Sequence, residues 1–188
     1  MRAASLLLFL TIGIIIGATN SGQEFLYDAH GTLATASPAA PSKYYYYPGQ
    51  EVLGPDEMRL TALGTGVPNV QKSQASSCWL LELGNGEKFL FDLGTGCTAN
   101  LASLNVSWEH FDKIFLSHLH SDHFGDLGAL YVAGNLMGRS TPLKIWGPSG
   151  DSPAFGTKVA VEHVIASYAW DKRSRQGRIP VMGMETEV

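Results

Sequence analysis

Cysteine is nearly absent from this chain: Cys78 and Cys97 are the only two among 188 residues. Neither falls in a Cys-x-x-Cys pair, which excludes the usual thiolate metal patterns. Positive charge has no surplus either. The 13 Lys and Arg face 17 Asp and Glu, giving a formal charge of −4. The basic footprint of a nucleic-acid-binding protein is missing, so composition predicts no nucleic-acid partner. No apolar run reaches the roughly 20 residues a membrane-spanning helix needs. Gly64 and Gly66 are not followed by the Lys-Ser/Thr of a phosphate-binding loop, and Glu162-His163 lacks the second histidine of a His-Glu-x-x-His helix. What remains is 45% hydrophobic and 16% charged, ordinary proportions for a chain that buries a core.

The amino terminus carries an address. Met1-Arg2 is positive, Leu6 to Ile16 is a nearly unbroken apolar run, and Gly17-Ala18-Thr19 offers small residues for cleavage. This predicts a signal peptide over residues 1–20 and a secreted or periplasmic protein. The alternative is an uncleaved membrane anchor over residues 5–18. Residues 21–57 read as a leader or linker because Ala, Ser, Thr, Pro and Gly dominate most of it without hydrophobic periodicity. Tyr44 to Tyr47 interrupt it, and aromatic packing onto the domain is the favoured role for them. The domain itself is assigned to residues 58–188.

Within that domain, strands are predicted over Met58–Leu63, Ser77–Leu83 and Lys88–Asp92, the last two joined by the hairpin signal Gly84-Asn85-Gly86. A short helix over Ala99–Leu104 and a strand over Lys113–Leu116 follow. Next come a helix over Phe124–Leu136 with Leu127, Leu130, Tyr131 and Leu136 on one face, a strand over Leu143–Trp146 and a helix over Thr157–Trp170. Alternation of this kind is α/β. Leu81, Leu83, Phe89 and Phe91 are expected to line the core. The hairpin brings Cys78 near the end of the third strand, which leaves a Cys78–Cys97 disulfide and two buried free thiols both open.

The densest chemistry lies in Phe115-Leu-Ser-His118-Leu-His120-Ser-Asp122-His123-Phe-Gly-Asp126, which holds three of the six histidines and two carboxylates. In an extended segment alternate side chains share a face, so His118 and His120 can converge on one ion while Leu119 turns to the core. A bend at Ser121 would direct Asp122 and His123 to a second ion. Buried imidazoles and carboxylates need partners, and their clustering here argues for a metal rather than packing. Imidazole and carboxylate suit zinc, and ligand type alone also admits iron or manganese. Asp126 is explained by the dipole of the helix it opens. His30 and His110 have no ligand-like neighbours, and His163 is set aside for want of a partner histidine.

The run His118-Leu-His120-Ser-Asp122-His123 resembles the His-x-His-x-Asp-His signature of the metallo-beta-lactamase fold superfamily. Leu60-Thr-Ala-Leu-Gly64-Thr65-Gly66-Val-Pro68 and Leu90-Phe-Asp92-Leu-Gly94-Thr-Gly96 look like the flanking elements of its ribonuclease Z-like branch. Trp146-Gly147-Pro148-Ser149-Gly150 and the region from Ala169 to Pro180 are similar to secreted, arylsulfatase-like relatives. The resemblance implies an αββα sandwich, of which this chain supplies the first half. It implies two zinc ions in a complete domain, roughly 3.5 to 4 Å apart in the manner of two-metal sites. His118 and His120 would hold one and Asp122 and His123 the other, with Asp122 also positioning the attacking water or moving its proton. Asp92 would orient a ligand histidine from behind, and its competing role is a cap for the helix beginning near Thr98. The later histidine, bridging aspartate and final histidine of such sites have no counterpart, because only His163 follows His123, and Asp151 and Asp171 lack a strand-end setting. The expected function is an exported zinc hydrolase of small-molecule phosphate or sulfate esters. The alternative is a non-catalytic metal-binding or interaction fragment, and a ribonuclease Z-like phosphodiesterase stands third.

Overall fold

The computed structural model describes residues 51–178 and 182–188. The signal, the anchor and the tyrosine run lie outside the described residues. Strand β1 (Met58–Gly64) pairs antiparallel with β2 (Cys78–Leu83), which pairs antiparallel with β3 (Lys88–Phe91). The predicted hairpin forms. Leu83 N donates to Glu87 O at 2.9 Å, and Gly86 sits at φ 93°, a conformation that costs glycine nothing. From β3 the sheet continues in parallel through β4 (Lys113–Phe115), β5 (Leu143–Trp146) and β6 (Thr186–Glu187), giving six strands in chain order.

Parallel neighbours need crossovers, and helices supply them. Helix α1 (Cys97–Leu101) lies between β3 and β4. Helices α2 (Ser121–Phe124) and α3 (Leu127–Leu136) lie between β4 and β5, while α4 (Thr157–Ser167) and α5 (Ala169–Arg175) follow β5. Leu101, Leu127, Leu130 and Val161 from these helices join Leu80, Leu90, Ile114 and Ile145 from the strands in one buried cluster. The fold is α/β, as the alternation predicts.

The expectation for the core was right in period and wrong in face. Leu80 and Leu90 are buried, whereas Leu81, Leu83, Phe89 and Phe91 lie on the opposite side of the sheet. There the register aligns Ala62, Trp79, Phe91, Phe115 and Trp146 in one row across five strands. Phe115 stacks between Phe91 and Trp146, with ring centroids 5.3 and 4.7 Å away. Phe91 and Trp146 are nonetheless 39% and 45% exposed. Both faces of these strands are apolar, so alternation could not say which one the helices cover.

Three helix boundaries also differ. The first helix starts at Cys97 rather than Ala99, behind Gly96 in a left-handed conformation (φ 91°). The helix expected over Phe124–Leu136 is two helices, and Leu136 is 44% exposed rather than on the buried face. The helix expected over Thr157–Trp170 breaks at Tyr168, whose ring packs where a side chain on Gly128 would otherwise stand.

Cys78 and Cys97 are joined in a disulfide with a Cα–Cα separation of 5.8 Å, both side chains fully buried, tying the start of β2 to α1. On β2, Glu82 is 2% exposed and pairs with Arg59 Nε at 2.7 Å and Lys88 Nζ at 3.3 Å. Burial pushes its pKa up, but hydrogen bonding and charge from Arg59, then Lys88, leave it below the ordinary glutamate value. Arg139 is buried and donates to the carbonyls of Leu130, Tyr131 and Gly183, fastening residue 183 to α3. Burial pushes its pKa down to about 10.

Removing the disulfide by C78A/C97A should lower stability by about 3 kcal/mol, the chain-entropy scale for a loop of this size, measured by urea unfolding against the oxidised chain. Glu82 titrates lower when folded than unfolded, so its contribution is complete above its unfolded pKa and lost as pH falls through the folded one. Glu82→Gln should therefore cost about 1–3 kcal/mol at pH 7 and flatten the acid limb of the stability curve, read as denaturation midpoints from pH 7 down to 3.

Candidate metal centre

The site begins where β4 runs out of sheet. Leu116 N still donates to Trp146 O at 2.7 Å, and then Ser117 to His120 leave the parallel strands at their carboxyl end. That is the edge at which open α/β sheets bind ligands. His118 and His120 alternate along this extended stretch, and Leu119 between them packs against the core as predicted. Helix α2 then turns the chain, placing Asp122 in its first turn, 7% exposed, and His123 one residue on.

The donors arrive in two pairs. His118 Nε2 faces His120 Nδ1 at 3.1 Å, and His123 Nε2 lies 3.4 Å from Asp122 Oδ2. The rings of His118 and His123 are 4.0 Å apart between centroids, so the pairs adjoin. Among the described residues no group of three or more His, Cys, Asp and Glu side chains is set to hold a metal ion. The donor chemistry nevertheless fits a divalent cation. Asp122 Oδ1 is buried with no hydrogen-bond partner, an unpaired anionic oxygen that costs free energy unless a cation or water meets it.

Behind the pairs stands Asp92, at the end of β3. Its backbone φ is 61°, left-handed in a non-glycine residue, which is uncommon and tolerated best by Asp and Asn. That twist aims the carboxylate into the loop. Oδ1 accepts the Ser117 amide at 2.8 Å, and Oδ2 accepts His123 Nδ1 at 2.7 Å and the Ser77 hydroxyl at 3.3 Å. Burial pushes the Asp92 pKa up, but the Ser117 amide, the His123 hydrogen bond and the Ser117 hydroxyl more than offset it, so the carboxylate lies below its ordinary range. The backbone reinforces the arrangement, since Leu93 N donates to His123 O at 2.7 Å and Asp126 N to Leu93 O at 2.9 Å. A side chain on Gly94 would collide with the Asp122 carbonyl and with Ser76, so the two loops meet only because that residue is glycine.

The alternative role for Asp92, capping the helix near Thr98, belongs to another carboxylate. Asp126 Oδ2 accepts Thr98 N at 2.6 Å across 28 residues, and no side-chain capping bond forms on the helix Asp126 precedes. Sequence reasoning also passed over Ser117 and Ser77, the two hydroxyls on Asp92. Ser117 had the better signal, standing directly before the first histidine.

The family profile described as Anti-Pycsar protein Apyc1 matches residues 58–149. Ribonuclease Z of Mycolicibacterium gilvum is 32% identical over 117 residues, covering 61% of this chain and 38% of that protein. The crystal structure of human tRNase Z, short form, is 30% identical and covers 57% of this chain and 38% of its own, with a TM-score of 0.48. For the metallo-beta-lactamase fold protein YhfI of Bacillus subtilis the figures are 30%, 53% and 42%, with a TM-score of 0.46. The sequence matches, taken with the His-x-His-x-Asp-His loop at the end of β4, define a metallo-beta-lactamase-fold protein. Within that fold the sequence is similar to ribonuclease Z proteins. It spans about two fifths of the length of the curated relatives it matches first.

One expectation is overturned. The relatives are named as ribonucleases, which conflicts with the prediction of a small-molecule ester substrate and no nucleic acid. The charge of −4 is an average over the whole chain and says nothing of the local groups at one site, so it could not carry that exclusion.

Asp92→Asn keeps a residue that accepts the left-handed backbone but removes the anionic acceptor behind His123. Zinc affinity should fall about 10–100-fold, with an unchanged far-ultraviolet circular dichroism spectrum, measured by competition with a chromogenic chelator.

Proposed function

We propose that this chain forms part of a metal-dependent phosphodiesterase of ribonuclease Z type, acting on nucleic-acid phosphodiester bonds. The observation that carries the reading is the approach of His118 Nε2 to His120 Nδ1 at 3.1 Å, at the carboxyl end of the sheet and beside an unpaired carboxylate oxygen. His118 and His120 would hold one divalent ion, and Asp122 and His123 a second, with zinc favoured by the ligand types. Such ions supply Lewis-acid stabilisation of the charge that develops on phosphoryl oxygens. Asp122 Oδ1 accepts a proton from the attacking water, the role its lack of any other partner leaves open. Asp92 holds His123 Nδ1 and so directs Nε2 towards Asp122. Gly94 lets the β3 loop approach the Asp122 backbone closely.

A second reading, a metal-binding fragment without turnover, is favoured by the lack of any three-donor group among the described residues. The two are separated by zinc-loaded 188-residue chain assayed on a labelled RNA and on bis(p-nitrophenyl) phosphate. The phosphodiesterase reading expects hydrolysis that His118→Ala reduces on the order of 100-fold or more. Zinc retention with no cleavage of either substrate would favour the fragment.

A further inference from the structure

We propose that Ser117 is a positioning residue whose hydroxyl fixes the tautomer of His118, so that the nitrogen facing His120 carries a lone pair. This deepens the reading of the same site and rests on it. Ser117 Oγ lies 2.9 and 3.0 Å from the two oxygens of Asp92, 3.0 Å from His118 Nδ1 and 3.3 Å from His123 Nδ1. Four contacts converge on one hydroxyl, which has a single proton to give and two lone pairs to offer.

The protons can be assigned by elimination. An ionised carboxylate accepts and cannot donate. Asp92 gathers the Ser117 amide, His123 Nδ1 and Ser77 Oγ as donors, and both its oxygens lie within hydrogen-bond distance of Ser117 Oγ. The contact between Ser117 Oγ and Asp92 therefore uses the serine proton, and such a charge-assisted bond is stronger than a neutral one. Only lone pairs remain on Oγ. In the 3.0 Å contact with that oxygen, His118 Nδ1 is then the donor. A neutral imidazole carries one N–H, so His118 Nε2 is left bare, and Nε2 is the atom 3.1 Å from His120 Nδ1. His123 needs no share of the hydroxyl, because its Nδ1 already donates to Asp92 over the shorter distance of 2.7 Å.

The reverse assignment, with the hydroxyl donating to His118 Nδ1, would place the imidazole proton on Nε2. It would also give up a charge-assisted bond for a neutral one. One serine thus connects the carboxylate that orders His123 to the ring that adjoins His120, and both imidazoles present Nε2 because of one anion.

The test uses the purified 188-residue chain as wild type, Ser117→Ala and Ser117→Thr, with two readouts. Long-range proton–nitrogen correlation spectra of the metal-free chain report the His118 tautomer. Competition with a chromogenic chelator reports zinc affinity. Wild type and Ser117→Thr should show His118 protonated at Nδ1 only, and Ser117→Ala should show a mixture of tautomers with zinc affinity reduced about 10–100-fold. Wild-type His118 protonated at Nε2 would overturn the proposal, as would a Ser117→Ala chain with unchanged tautomer and affinity. Equal loss of affinity in the alanine and threonine variants with the His118 tautomer intact would assign Ser117 to packing and equally overturn it. If wild type shows the expected tautomer but takes up no zinc, the tautomer assignment stands and the metal-dependent reading fails. The wild-type spectrum alone decides the sign should Ser117→Ala misfold.

Discussion

Everything around the candidate centre hangs on the carboxylate of Asp92. It ends β3, reaches across to the loop that leaves β4 and gathers donors from Ser77, Ser117 and His123. Those donors come from three separate stretches of chain, so one anion sets the relative placement of β2, the histidine loop and α2. Such placement requires a backbone that L-residues usually avoid, with φ 61° at Asp92. The strain is stabilised by the surrounding bonds, which fits a position selected for where its side chain points. Cys78 adjoins Ser77, so the disulfide to Cys97 braces the same corner from the other side.

A parallel sheet explains why the histidines are where they are. In β3 and β4 the carboxyl ends lie side by side, Phe91 opposite Phe115, so the residues that follow each strand must emerge together. Asp92 follows one, and Ser117 and His118 soon follow the other. The hairpin half of the sheet has no such convergence, and it supplies rigidity and the paired Glu82 instead.

Much of this could be read from the residues. The strands and the hairpin follow from period-2 patterning and Gly-Asn-Gly, and the crowding of His118, His120, Asp122 and His123 marks the loop after β4 as the place to look for a site. Asp92 was legible as a carboxylate at a strand end behind that loop. What failed was long-range or two-sided. Asp126 reaches Thr98 across 28 residues, a contact with no local trace. Leu80 and Leu81, or Leu90 and Phe91, are equally apolar, and only the helices decide which is covered. Tyr168 ends a helix because a glycine on α3 leaves room for its ring, and the helical period of its own segment carries no sign of that.

The row Ala62, Trp79, Phe91, Phe115 and Trp146 has a consequence for the chain as a colloid. Apolar residues scattered over a surface are ordinary, but here four aromatic side chains line up on adjacent strands, with Phe91 and Trp146 open to water. An exposed aromatic patch of that kind favours association of the chain through this side of the sheet.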